Sequence, residues 1–166
     1  VRYQLKIPAA RSKKFGVIAL PVKKELKKLV DGLHKVYKDK NPSIDVDLAD
    51  GIVFRGESGD FLELAGNLLD NACKCCEAAV KLTIAPLSVG KGLGGMRIIV
   101  EDDGPGIPEE ARAPLLERGM RLDESAPGQG IGLAVVTDIA ASYGGTVTIS
   151  DSTLGGAKIS VTVNPD

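Results

Sequence analysis

The sequence predicts an α+β fold: a two-layer sandwich in which a mixed, mostly antiparallel sheet packs on about three helices. Two observations lead there. Three segments read as helices, VKKELKKLVDGLHKVYKDK and ELAGNLLDNACK with apolar residues at a 3.6-residue period and LAVVTDIAASYGG apolar nearly throughout. Between them lie short strand-like runs, SIDVDL, IVFRG, MRIIVED, TVTIS and AKISVTV, bounded by Asp, Gly and Pro. The order is strand, helix, hairpin, helix, two strands, a long polar loop, helix, two strands, and helices laid over such a sheet make two layers.

A chain of 166 residues with 43% hydrophobic content fits one compact domain with a real core. Residues 1–166 are therefore read as a single unit. The net charge of −1 gives no global attraction to nucleic acid or to an anionic membrane surface, so an anionic ligand must be held by local charges. No apolar run approaches the roughly 20 residues of a membrane span. The chain starts at Val1 without a leader, and is expected to be a piece of a longer protein. Cys73, Cys75 and Cys76 bunch on one helix without a second Cys/His cluster, which argues against zinc and against a disulfide framework. They read as small buried apolar residues.

Taken in order, Arg2 to Ile7 alternates like a strand that Pro8 stops, and a basic linker runs on to about residue 20. Pro21 opens the first helix, with Val22, Leu26, Leu29, Leu33, Val36 and Tyr37 on one face and lysines, read as a solvated surface, opposite; Asn41-Pro42 ends it. SIDVDL, the turn Asp50-Gly51 and IVFRG read as a hairpin. Ser58 and Asp60 are cap candidates for the central helix. Lys81 to Val89 and Met96 to Asp102 read as strands joined by GKGLGG, a long hairpin turn. That turn matches a dinucleotide fingerprint in spacing only, since it leads into a strand, and it lacks the Ser or Thr of a P-loop.

Chemistry concentrates in three stretches. In ELAGNLLDNACK, Glu63, Asn67, Asp70, Asn71 and Lys74 fall on one polar stripe of an otherwise apolar helix. Two Asn at i, i+4 inside a helix carry a propensity cost. Their oxygens suit Mg²⁺, and Lys74 one turn on suits phosphate; the plainer alternative is that the amides cap loops on a solvated face. In EDDGPGIPEE, Asp102 ends a buried strand, where ligands commonly meet a sheet, and Gly104 and Gly106 permit close approach of the backbone; an ordinary strand-exit turn would read the same way. GQGIG opens the last helix, so free N–H groups and the positive end of the dipole make an anion site. Glu109 to Pro127 is polar and expected to form a short helix and then a long loop; Pro105 to Gly128 reads as a mobile lid.

ELAGNLLDNACK, EDDGPGI and GQGIGLAVV, in that order, resemble the N, G1 and G2 boxes of the catalytic, ATP-binding domain of sensor histidine kinases, part of the ATPase superfamily shared with gyrase, Hsp90 and MutL. HKVY, APGQG and LGGA are similar to further stretches of that family. The resemblance implies a nucleotide site formed by Asn67, Asn71, Lys74, Asp102, Gly104, Gly106, Ile107, Gly128, Gln129, Gly130, Ile131, Gly132 and Leu133. It makes Asn67, Asn71 and Gln129 the Mg²⁺ ligands, Lys74 the phosphate contact and Asp102 the reader of adenine. It gives Glu63 the position that orients or deprotonates an acceptor histidine, and Arg118 and Arg121 the neutralisation of the transferred phosphoryl group. ATP and Mg²⁺ follow as cofactors. The partners implied are a histidine-bearing dimerisation domain of the same protein, to which residues 1–20 would lead, and a response regulator.

An isolated monomer, a homodimer at full length and a cytoplasmic domain of a bacterial inner-membrane protein follow in the same way. His34 is the only histidine, but Lys35 follows it where the family's acceptor is followed by an acidic residue, so it is not expected to accept phosphate. Two departures from the pattern are Cys75, where an aromatic is common, and Leu115-Leu116, where a Phe is expected. A conformational ATPase of the gyrase or Hsp90 kind and a nucleotide-binding module without transfer are the alternative functions.

Overall fold

The computed structural model describes residues 19–87, 95–118 and 131–164, with the side chains of Arg118 and Ile131 excepted. The Arg2–Ile7 strand, the basic linker, the GKGLGG turn as far as Gly94 and most of the GQGIG segment fall outside these residues.

A five-stranded sheet carries the fold, built from β2 (Ser43–Leu48), β4 (Ala79–Pro86), β5 (Met96–Asp102), β6 (Val147–Asp151) and β7 (Ala157–Val163) in the order β2-β4-β5-β7-β6. Only β2 and β4 run parallel; the other three pairs are antiparallel. The pleat sorts residues between faces at every second position. Val80, Leu82 and Ile84, then Met96, Ile98 and Val100, then Ile159, Val161 and Val163 are all buried. Asp102 continues the phase of Met96, Ile98 and Val100, so the strand alternation that builds the core also turns this carboxylate inward at the end of β5.

Four helices are described: α1 (Val22–Val36), α2 (Ser58–Cys75), α3 (Glu109–Arg118) and α4 (Ile131–Ser142). α2 buries Phe61, Leu64, Ala65, Leu68, Leu69, Ala72 and Cys73 and leaves the expected polar stripe outside the core. α4 ends in a Schellman arrangement: Gly144, at φ +66°, donates to Ala141 and Gly145 donates to Ala140 at 2.8 Å.

Several expectations are corrected. SIDVDL and IVFRG do not form a hairpin. The turn at Asp50-Gly51 is present, but β3 (Val53–Arg55) leaves the sheet and pairs with β1 (Ala19–Pro21). Phe54 explains the departure, because its ring is buried 5.5 Å from Phe61 and 5.2 Å from Tyr143, over the helices. The strand beside β2 is instead β4, reached through α2. Ser58 and Asp60 do not cap α2, whose N-cap is Glu57 and has no side-chain cap bond. Asp60 is buried inside the first turn and accepts a hydrogen bond from Tyr143 Oη at 2.6 Å. The second strand is Ala79–Pro86 rather than Lys81 to Val89, and its antiparallel pairing with β5 agrees with a hairpin.

Candidate nucleotide site

The site lies along α2, where it faces the end of β5 and the start of α4. Asn67 and Asn71 stand one turn apart. Asn67 Nδ2 donates to the Glu63 carbonyl at 2.8 Å, which turns Oδ1 away from the helix backbone. A methyl group added to Gly132, in the first turn of α4, would stand 3.2 Å from Asn67 Oδ1 and 3.2 Å from Asn71 Nδ2. The amide pair and the α4 N-terminus thus meet face to face. No acidic side chain occupies the first turn of α4 to oppose an anion there.

One turn towards the C-terminus, Lys74 Nζ lies 3.0 Å from Asp70 Oδ2. Beyond it the chain closes on Asp102. Asp102 Oδ1 accepts from Gly104 N at 2.9 Å and from Ala157 N at 3.3 Å, which fixes the carboxylate plane. Burial raises its pKa above the ordinary carboxylate value, the two N–H bonds pull the other way, and neighbouring Asp103 adds to the rise. Close approach is built in here: a methyl at Gly104 would meet the Cys75 carbonyl oxygen at 2.2 Å, and one at Gly156 would meet Asp102 Oδ1 at 2.1 Å. Gly106, at φ +77°, turns the chain after the strand, and Ile107 packs against the core. Leu133 is buried.

Cys73 and Cys76 are buried and Cys75 is half-buried, and none of the three is joined in a disulfide. Burial pushes the Cys73 thiol up to about 11 and raises those of Cys75 and Cys76.

Of the residues singled out from the sequence, Asn67, Asn71 and Lys74 lie on α2, Gly132 stands against the Asn67/Asn71 pair, and Gly104 lies against both Cys75 and Asp102. Glu63 is exposed one turn before Asn67. Ile131 opens α4 and Arg118 closes α3. Arg121, Gly128, Gln129 and Gly130 lie outside the described residues. The first part of the stretch read as a polar lid is tied to the rest of the fold. α3 holds Leu115 buried, and Arg112 donates from Nε to the Ile107 carbonyl at 3.0 Å and pairs with Asp151 at 2.7 Å. Gly156 was not singled out as a site residue; its signal was the LGGA run.

A family model described as "Histidine kinase-, DNA gyrase B-, and HSP90-like ATPase" matches residues 56–166, and the chain belongs to that family. Within it, the match is to the ATP-binding catalytic region of sensor histidine kinases. The chain is 45% identical over 141 residues to the virulence sensor histidine kinase PhoQ of Salmonella typhimurium strain LT2, an overlap of 85% of this chain and 28% of PhoQ. It is 43% identical over 141 residues to the sensor protein PhoQ of Escherichia coli K12, with the same coverage. It therefore spans less than a third of the length of these curated relatives.

Among solved structures, the mycobacterial sensor histidine kinase MprB superposes with a TM-score of 0.74 at 22% identity, covering 90% of this chain and 99% of that one. The catalytic domain of histidine kinase ThkA gives 0.77 at 15% identity, with 91% and 97% covered. At these identities the agreement is one of fold, an α+β sandwich. No helix among the described residues is long and apolar enough to cross a membrane.

Proposed function

We propose that this chain binds Mg·ATP and passes the γ-phosphoryl group to a histidine carried on a separate dimerisation domain of the same protein. The observation that carries this reading is the convergence on α2 of an inward-facing, plane-fixed carboxylate, Asp102, with the Asn67/Asn71 pair set against the N-terminus of α4. These residues divide the work along the helix, whose 1.5 Å rise separates Cys75 from Glu63 by about 18 Å.

At the Cys75 end, the Asp102 carboxylate accepts a hydrogen bond from the adenine 6-amino group. Guanine would bring a carbonyl oxygen to the same place, leaving two acceptors opposed. In the middle, Asn67 and Asn71 would hold Mg²⁺. The bond from Asn67 Nδ2 to Glu63 leaves Oδ1 as a neutral hard donor facing α4, which fits that ion. A bound Mg²⁺ would neutralise phosphate charge, and Gln129 is proposed as a third ligand. Lys74 contacts the phosphates as a point charge. The N–H groups at the start of α4, preceded by Gly128 and Gly130, receive phosphate oxygens.

At the far end Glu63 stands where the acceptor imidazole would enter. The bond from the γ-phosphorus to the ADP oxygen breaks, a P–N bond forms, and Glu63 orients the ring or takes its proton. Arg118 and Arg121 neutralise the transferred group.

The whole protein is proposed to be a homodimeric sensor of the bacterial inner membrane, with this domain in the cytoplasm and a response regulator as the final phosphoryl acceptor. Residues 1–166 would be one catalytic domain, its first 20 residues leading in from the dimerisation helices. Calorimetry with ATP and GTP tests the base reading. Micromolar-to-millimolar ATP binding with little GTP binding is expected, and equal affinities would remove Asp102 as the base reader.

A further inference from the structure

The turn that joins α1 to β2 grips the last turns of α2 with two side chains. Lys40 Nζ donates to the carbonyls of Cys73, Lys74 and Cys76 at 2.9, 2.8 and 3.1 Å, satisfying groups that a helix end leaves open. Tyr37 Oη donates to Asp70 Oδ1 at 2.5 Å, while the other oxygen of Asp70 lies 3.0 Å from Lys74 Nζ. An unbroken relay of contacts thus runs from the end of α1 to the Lys74 ammonium. Burial, then the bond to Asp70, keep the Tyr37 phenol well above its ordinary pKa, so it remains a donor.

A half-exposed i, i+4 pair such as Asp70–Lys74 adds little to folding stability. Its direction is another matter. A lysine is a point charge on a flexible four-carbon stem, and ordering it at the moment of binding costs side-chain entropy. Asp70 can direct Lys74 only if its own carboxylate is held, and Tyr37 holds it.

We infer that Tyr37 and Asp70 are positioning residues, which keep the Lys74 ammonium ordered along the phosphate-facing edge of α2. The inference rests on the reading of Lys74 as a phosphate contact.

Affinities for ATP and for adenosine, measured by calorimetry on the chain and on Tyr37→Phe, Lys74→Ala and the double variant, test it. Lys74→Ala should weaken ATP about tenfold or more and leave adenosine unchanged. Tyr37→Phe should weaken ATP about threefold, spare adenosine, and have no further effect once Lys74 is gone. Unchanged ATP binding by Lys74→Ala would remove the phosphate reading of Lys74 and this inference with it.

Suppose instead that Lys74→Ala weakens ATP as expected. Tyr37→Phe that then binds ATP like the parent, weakens adenosine equally, or adds in full to Lys74→Ala would overturn the positioning role alone. If Tyr37→Phe does not fold, Asp70→Asn carries the same test, because it keeps an acceptor for Tyr37 and removes only the charge that directs Lys74.

Discussion

Gly156 lies so close to Asp102 that a methyl group there would stand 2.1 Å from Oδ1 and 2.6 Å from the Asp102 carbonyl oxygen. The turn between β6 and β7 therefore acts as the back wall of the carboxylate. Gly156→Ala should push Asp102 out of the plane set by Gly104 and Ala157. Overpacking of this kind typically costs about 1–3 kcal/mol, and ATP affinity should fall about tenfold or more. Thermal unfolding and ATP titration of the variant measure the two effects; parent-like ATP binding would mean that the wall yields.

Asp102 should set stability and binding against each other. Its folded-state pKa is raised by burial, so between the ordinary carboxylate value and the raised one the folded state holds more protons than the unfolded. Stability from this group is present below the ordinary value and is lost as pH rises through the folded value. Asp102→Asn removes that cost and still accepts from Gly104 and Ala157. The variant should melt higher at neutral pH, by about 2–4 °C for each kcal/mol recovered, while losing its preference for ATP over GTP. For the parent, ATP affinity should decline as pH is lowered through the raised value. A variant that melts lower and still prefers ATP would contradict both parts.

Asn71→Asp adds a charge where a neutral oxygen is proposed to serve Mg²⁺. Its ATP binding should change its dependence on Mg²⁺ concentration and keep its base preference, the reverse of Asp102→Asn. Titrations of both variants across Mg²⁺ and against both nucleotides separate the effects; a pair of variants that bind Mg·ATP like the parent would leave the pocket misassigned.

Leu115 ties α3 to the core, and Leu115→Ala should cost about 2–5 kcal/mol if the tie is made in the resting protein. Amide exchange across 109–118 should then rise. Protection across 109–118 that Leu115→Ala leaves untouched would show that α3 is held by Arg112 instead.

The elements that sequence reasoning placed best are those whose local signals agree with the packing. α2 was legible because its apolar period and its polar stripe are both continuous from Glu63 to Lys74. Asp102 was legible because it shares the phase of Met96, Ile98 and Val100 and is followed by glycines. What escaped was long-range. Nothing near Asp50-Gly51 says that Phe54 will be drawn to Phe61 and Tyr143, so the local turn signal suggested a hairpin that tertiary packing prevents. Ser58 and Asp60 have cap chemistry, yet Tyr143, more than eighty residues away, takes the Asp60 carboxylate. Tyr37 read only as part of an apolar face, because its contact with Asp70 appears only when α1 and α2 pack.

The most direct test of the account is transfer itself. In the proposed function the chain would supply positioning and charge neutralisation, and the nucleophile would belong to the acceptor domain. Incubated with γ-labelled ATP and Mg²⁺, the chain alone should take up no label on His34. With a matched dimeric helical domain bearing an acceptor histidine, an acid-labile, base-stable phosphohistidine should form on that domain, and Glu63→Ala should slow its formation more than it weakens ATP binding. Stable phosphate on His34 of the isolated chain, or ATP binding with no transfer to any matched acceptor, would contradict the account.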